Sequence, residues 1–75
     1  MPGPENRCDI SIVVNGERKN VEPGTTLSKL LVGLDLSLDR VAVEYNREIA
    51  AKTAWVATEL HSGDQLEIVQ FVGGG

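Results

Sequence analysis

The fold is decided by the stretch Gln65-Leu66-Glu67-Ile68-Val69-Gln70-Phe71-Val72-Gly73-Gly74-Gly75, in which a β-strand pattern leads directly into three glycines. Branched and aromatic side chains favour an extended, pleated backbone, whereas glycine has no side chain to pack. The side chains of this strand alternate in two sets that face opposite sides of a sheet: Leu66, Ile68 and Gln70 in one set, Glu67, Val69 and Phe71 in the other. We therefore predict an ordered last strand followed by a loose tail.

The tail 73–75 ends in the group that is the best candidate for chemistry in this sequence, the terminal carboxylate. Without Cβ atoms, Gly73 and Gly74 form a tether thin enough to enter a narrow channel, and they present the terminal carboxylate of Gly75 to another protein. Glycine runs also occur at frayed ends and in linkers, and composition alone leaves that alternative open.

Composition restricts the class of protein. A chain of 75 residues forms one domain, which buries only about 60% of the surface of its unfolded chain. Seven basic against eleven acidic residues give a net charge of −4, which opposes binding to nucleic acid. The single cysteine supports neither a disulfide framework nor a zinc site. No apolar run reaches the length of a membrane span, so we expect a cytoplasmic protein with no membrane partner, monomeric when free.

The first half of the domain reads as a hairpin and a helix. Residues 1–8 hold two prolines and no periodic pattern, which predicts a disordered extension before a domain over 9–72. An alternating strand from Ile10 to Val14 is followed by Asn15-Gly16, the dipeptide typical of a type I′ turn, and by a polar returning strand. The helix that comes next has a threonine cap (Thr25 or Thr26), an expected end near Gly33 and one apolar face, formed by Leu27, Leu30, Leu31 and Leu34.

The second half adds a second hairpin and the last strand. Strands are predicted over 40–45 and 48–50, on either side of a tight turn at Asn46-Arg47. Trp55 is expected to fill the core. The order β-β-α-β-β-β predicts an α+β protein of the β-grasp (ubiquitin-like) type, with a mixed sheet of four to five strands packed on one helix and the last strand beside the first.

Conventional catalytic groups are poorly supported. Cys8 lies in the extension with no histidine near it, and His61, Ser62 and Asp64 are better explained as a turn than as a triad. The sequence has no H-E-x-x-H or C-x-x-C motif. We therefore predict no catalytic residue, no metal ligand and no bound cofactor, and a carrier rather than an enzyme.

Several motifs together resemble a known family. They are the turn Val14-Asn15-Gly16-Glu17, the helix start Pro23-Gly24-Thr25-Thr26-Leu27, the strand Val41-Ala42-Val43-Glu44, the lone Trp55, and above all the ending from Gly63-Asp64 to Gly75. In these positions the chain resembles the ThiS-type sulfur carriers of thiamine (thiazole) biosynthesis, which are ubiquitin-like β-grasp proteins that end in Gly-Gly.

The resemblance implies a function for the tail. In the family, an E1-like adenylating enzyme (ThiF-like) joins the terminal carboxylate to AMP, and a sulfur donor such as a cysteine desulfurase leads to a thiocarboxylate. A thiazole synthase (ThiG-like) then takes the sulfur. Carried over to this chain, Gly75 is the reacting group, Gly73 and Gly74 are the tether, and ATP and magnesium belong to the adenylating partner. Val69, Phe71 and Val72 are our candidates for partner binding.

Three alternatives stay open. The chain is also similar to the small subunit of molybdopterin synthase, which shares the fold and the Gly-Gly ending. Conjugation to lysines, as in ubiquitin, is a further alternative within the fold. A noncatalytic β-grasp interaction domain is the alternative from another class, because fold alone does not determine function.

Overall fold

Within residues 9–71, which the computed structural model describes, the chain forms five strands and one α-helix in the predicted order β-β-α-β-β-β. The elements are β1 (Ile10–Val14), β2 (Glu17–Val21), α1 (Leu27–Gly33), β3 (Val41–Tyr45), β4 (Glu48–Ile49) and β5 (Gln65–Gln70). Short 3₁₀ turns at Leu38–Arg40 and Lys52–Ala54 connect them. The predicted extension 1–8 and tail 73–75 lie outside the described residues.

Both hairpin turns have the backbone that the sequence predicts. Asn15 and Gly16 have φ angles of 51° and 83°, and Asn46 and Arg47 have 50° and 75°. A two-residue turn with positive φ at both positions has the twist that joins two antiparallel strands. The turn residues of each hairpin therefore suit the pairing of its two strands.

The last strand is the centre of the sheet. The strand order is β2-β1-β5-β3-β4, with β5 parallel to β1 and antiparallel to β3. This confirms the predicted mixed sheet with its last strand beside the first. Because β5 holds the two hairpins together, the segment that leads to the tail is also the segment on which the fold depends.

The helix begins and ends as predicted. Thr26 is the N-cap, and its Oγ1 accepts a hydrogen bond from the backbone N–H of Lys29 (3.2 Å). The helix ends at Gly33, as predicted, and the residue in the left-handed conformation after it is Asp35 (φ 66°) rather than a glycine. The N–H of Leu36 reaches the carbonyl of Leu31 (3.1 Å), the pattern of a Schellman motif, in which aspartate tolerates the left-handed position.

The core lies between the helix and the inner face of the sheet. It consists of ten buried apolar residues: Ile12, Val14, Leu27, Leu30, Leu31, Val41, Val43, Trp55, Leu60 and Leu66. Trp55 is only 3% exposed, and its Nε1 donates to the carbonyl of Ala50 (3.0 Å), which confirms its predicted place in the core. No helix in residues 9–71 is long and apolar enough to cross a membrane.

Candidate functional site

The two faces of β5 differ in what covers them. Leu66 is buried and Ile68 is partly buried against the core, whereas Val69 and Phe71 are 56% and 54% exposed. The alternation predicted from the sequence is therefore correct, and the structure shows which set is inside. Val69 and Phe71, two of the predicted partner-binding residues, are accessible to another protein.

Neighbouring strands extend this exposed surface. In the register of the sheet, Val69 lies opposite Ala42 and Glu67 lies opposite Glu44, which in turn pairs with Ile49 of β4. Ile49 is 75% exposed. We call this surface the outer face and define it by six residues: Ala42, Glu44, Ile49, Glu67, Val69 and Phe71. An open depression in it is lined by five of these residues, together with Val43, Arg47 and Gln65.

The charges of the outer face do not serve the fold. Glu44 and Glu67 are direct cross-strand neighbours in the β3–β5 register. Like charges at such positions destabilise a sheet, because the two carboxylates repel each other across the strand pair. Ile49, Val69 and Phe71 beside them leave more than half of their surface uncovered in the free protein, so they gain only part of the free energy that full burial would give. An apolar surface with paired carboxylates is suited to a partner that brings apolar side chains and basic groups.

Sequence reasoning missed part of this surface. The short strand containing Ile49 was predicted, but two residues show no alternation that could assign their side chains to a face. The pairing of Glu44 with Glu67 depends on register between segments that are distant in the sequence. Neither feature has a local signal, because both arise only when β3 and β5 are aligned.

The strand is anchored up to the last described residue. The N–H of Phe71 donates to the carbonyl of Arg40 (2.7 Å), which continues the β3–β5 pairing beyond Gln70. The predicted binding residue Val72 and the glycines 73–75 lie outside the described residues, so the roles of tether and reacting carboxylate stay predictions. What the structure places is the fixed point from which that tail begins.

The turn after residue 60 is organised around Asp64 rather than around a triad. One carboxylate oxygen of Asp64 accepts hydrogen bonds from the Tyr45 hydroxyl (2.6 Å) and the N–H of His61 (2.7 Å). The other accepts from Nδ2 of Asn46 (3.1 Å). Asp64 is 8% exposed, and these bonds join the β3–β4 turn to the start of β5. Turn chemistry, as predicted, accounts for this aspartate.

These contacts shift the pKa values of both Asp64 and Tyr45. Burial opposes ionisation of Asp64, but the hydrogen bonds from Tyr45, His61 and Asn46 outweigh it and hold its pKa below the usual value. Burial, reinforced by the hydrogen bond to the Asp64 carboxylate, raises the pKa of Tyr45 to about 12. At neutral pH the pair is therefore a charged acceptor and a neutral donor, an arrangement that stabilises structure.

The remaining candidate catalytic and metal-binding groups form no competing site within residues 9–71. Oγ of Ser62 accepts a hydrogen bond from the N–H of Ser11 (3.3 Å), which ties the turn to β1. Cys8 lies outside the described residues. Among residues 9–71, no group of three or more His, Cys, Asp or Glu side chains is placed to hold a metal ion.

Comparison with known proteins shows which protein family this chain resembles. The model of the ThiS family matches residues 12–75. The sulfur carrier protein ThiS of Bacillus subtilis is 44% identical over 50 residues, which cover 67% of this chain and 76% of that protein. The crystal structure of the thiamine biosynthesis protein ThiS from Geobacter metallireducens superposes with a TM-score of 0.75 at 32% identity, covering 88% of this chain and all of that one.

A longer protein is similar as well. A thiazole synthase of Magnetococcus marinus is 44% identical over 66 residues, which cover 88% of this chain. The chain spans only 20% of the length of that protein. The similarity therefore concerns one segment of the synthase.

Proposed function

The chain belongs to the ThiS family of sulfur carriers, and we propose that it delivers sulfur, as a thiocarboxylate of Gly75, to thiazole formation in thiamine biosynthesis. The observation that carries the proposal is the family match, which runs through the last glycine. The anchored strand β5 supports it, because only Phe71 and Val72 lie between that strand and the glycines, with no polar spacer.

The proposed chemistry begins with an unreactive group. A terminal carboxylate has a reference pKa of about 3.3 to 3.7, so it is ionised at neutral pH and resists nucleophiles. We propose that an E1-like adenylating enzyme (ThiF-like) lets a carboxylate oxygen of Gly75 attack the α-phosphorus of ATP, with release of pyrophosphate. A donor at the oxidation level of sulfide then displaces AMP, and the C–S bond of the thiocarboxylate replaces the C–O bond to phosphate.

The chain contributes a group and a surface rather than catalysis. In this proposal, ATP and magnesium bind to the adenylating partner, and Gly73 and Gly74 carry Gly75 into its active site. The outer face supplies docking through Val69 and Phe71, joined by Ile49 and by the carboxylates Glu44 and Glu67. Because those carboxylates repel each other in the free protein, basic groups on the partner would be attracted to both.

A thiazole synthase (ThiG-like) is the proposed acceptor. The support is the thiazole synthase of Magnetococcus marinus, in which a segment similar to this chain is part of the same polypeptide. Covalent linkage of a carrier to its acceptor raises the effective concentration of one for the other. We propose that the same encounter takes place here through docking of the outer face on the acceptor.

The proposal is tested by measuring the change in protein mass and locating it at the carboxyl terminus. With the cognate E1-like enzyme, ATP and magnesium, the protein should release pyrophosphate, and added sulfide should raise its mass by the difference between sulfur and oxygen. Fragmentation should place the change on Gly75. A residue appended after Gly75, or Gly74→Val, should abolish the gain of sulfur with an unchanged melting transition. Normal sulfur transfer to either variant, or an adduct on Cys8, would overturn the proposal.

A further inference from the structure

Asn15 makes contacts that a turn residue does not need. Its backbone N–H donates to the carbonyl of Leu66 (2.9 Å). Its side chain then reaches further along β5: Oδ1 accepts from the N–H of Ile68 (2.7 Å), and Nδ2 donates to the carbonyl of Ile68 (3.2 Å). One amide group therefore satisfies both polar backbone groups of a residue 53 positions away in the sequence.

The two side-chain hydrogen bonds of Asn15 continue the β1–β5 hydrogen-bond ladder beyond the end of β1. β1 pairs with β5 only at Val13↔Gln65 and Val14↔Leu66, and the chain then turns away at Asn15. β5 continues to Gln70, with β3 on its other side. The Asn15 amide takes the place of the next β1 residue, so β5 is held on both sides as far as Ile68.

The residue type matches this task. Asparagine tolerates the left-handed backbone found here (φ 51°), and its short side chain presents a donor and an acceptor in one plane. Glycine would keep the turn but lose both bonds. Aspartate would keep the acceptor for the Ile68 N–H and lose the donor.

We propose that Asn15 is a positioning residue for the tail: by clamping Ile68 on the side away from β3, it works with the Phe71–Arg40 hydrogen bond to fix the direction in which β5 leaves the sheet, and so the point from which the chain after Phe71 starts. The kinetic consequence rests on the proposed function. A tether that starts from a fixed point delivers its carboxylate to a docked active site more often than one that starts from a loose strand end, and small misplacements of a reacting group cost rate.

The chain offers a matched control in Asn46. It occupies the equivalent place in the other hairpin turn, also with positive φ (50°). Its amide likewise makes two hydrogen bonds: Oδ1 accepts from the N–H of Gln65 (2.8 Å), and Nδ2 donates to Asp64. Asn46 thus supports the start of β5, at the opposite end from the tail.

The experiment compares Asn15→Gly, Asn15→Asp and Asn46→Gly in the full chain, at a temperature where all are folded. In the adenylation assay, with the carrier as the varied substrate, Asn15→Gly should lower kcat for pyrophosphate release about tenfold. Its KM should be unchanged, since the outer face is intact. Asn46→Gly should keep both values, and Asn15→Asp should recover most of kcat. Equal losses of kcat in the two glycine variants would show that stability alone is at work and would overturn the proposal.

Amide hydrogen exchange in the free protein tests the clamp without any partner. The Ile68 amide should exchange about fivefold faster in Asn15→Gly, the change expected for one lost hydrogen bond, and Asn15→Asp should restore its protection. Asn46→Gly should affect Gln65 instead. Unchanged exchange at Ile68 in Asn15→Gly would disprove the clamp. If the wild-type protein is not adenylated, the proposed function fails separately, and exchange at Ile68 still decides whether the clamp exists.

Discussion

The inner and outer faces of the sheet both carry apolar side chains, but only the inner ones are covered. Ile12, Val43 and Leu66 are buried under the helix, whereas Ile49 and Val69 remain exposed on the other side. Burial of apolar area stabilises a protein by about 25 cal/mol per Å². The inner residues have gained this free energy on folding, whereas most of it is still to be gained by the outer residues if another molecule covers them.

Charge separates the two faces in the same way. The inner face holds apolar side chains, while Glu44 and Glu67 lie side by side on the outer face. Asp64, the buried charged residue in the described part of the chain, is satisfied by hydrogen bonds at the end of the sheet. The comparison shows an inner face organised for stability, and it supports the proposal that the outer face serves association.

The largest expected effect is on the inner side. Trp55→Ala should lower the free energy of unfolding by about 3 to 5 kcal/mol, because it leaves a cavity and frees the carbonyl of Ala50. Denaturant melts measure the loss, and sulfur transfer should fall only as far as the folded fraction does. Unchanged stability together with lost transfer would make Trp55 a partner contact and would break the division between the faces.

The next effect is on the outer side and concerns binding. Val69→Asp and Phe71→Ala should each weaken binding to the E1-like enzyme or the thiazole synthase by about 2 kcal/mol, the range of an interface anchor. Titration calorimetry measures the affinity. Melting curves should match the wild type, since both side chains are more than half exposed. Variants that unfold, or that bind normally, would remove the outer face from the docking surface.

An effect of similar size tests the polar contacts at the end of the sheet. Tyr45→Phe removes the hydrogen bond to Asp64 and should cost about 1.5 to 3 kcal/mol of stability at neutral pH, as expected for a bond to a charged group. Denaturant melts at pH 7 measure this loss. Tyr45→Phe with wild-type stability would show that the hydroxyl contributes nothing to the fold.

The contact between Tyr45 and Asp64 can also be tested through the pH dependence of stability. The folded pKa of Asp64 is lowered, so its contribution is present above the unfolded value near 3.8 and is lost as pH falls through the folded pKa. The pKa of Tyr45 is raised from 10.0 to about 12, so its contribution is complete below pH 10 and is lost as pH rises towards 12. Tyr45→Phe should remove the alkaline loss and weaken the acid one.

The smallest effect comes from an exposed apolar residue outside both faces. Val56 is 71% exposed and follows Trp55 in the chain. The carbonyl of Trp55 accepts a hydrogen bond from the N–H of Ser28, near the start of the helix. Val56→Asp should change stability by no more than about 0.5 kcal/mol and leave partner affinity unchanged. It is therefore the matched control for Val69→Asp. Weakened binding in this variant would extend the docking surface beyond the outer face.

Features encoded within a few neighbouring residues were predicted correctly. The Asn15-Gly16 turn, the Thr26 cap and the alternation of β5 each depend on local backbone preference, which the residue type itself expresses. The end of the helix near Gly33 was also predicted correctly, but its left-handed residue is Asp35, which only the hydrogen bonds of the Schellman motif reveal.

By itself the sequence determined the order of the elements, the place of the last strand beside the first and the glycine ending that resembles the sulfur carriers. Tertiary structure alone decided which face of β5 is buried, that Ile49 joins Val69 outside, and that Asn15 clamps Ile68. The physical reason is that a period of two assigns side chains to two faces without distinguishing them. The distinction comes from the helix that covers one face, and from a register that aligns residues more than fifty positions apart.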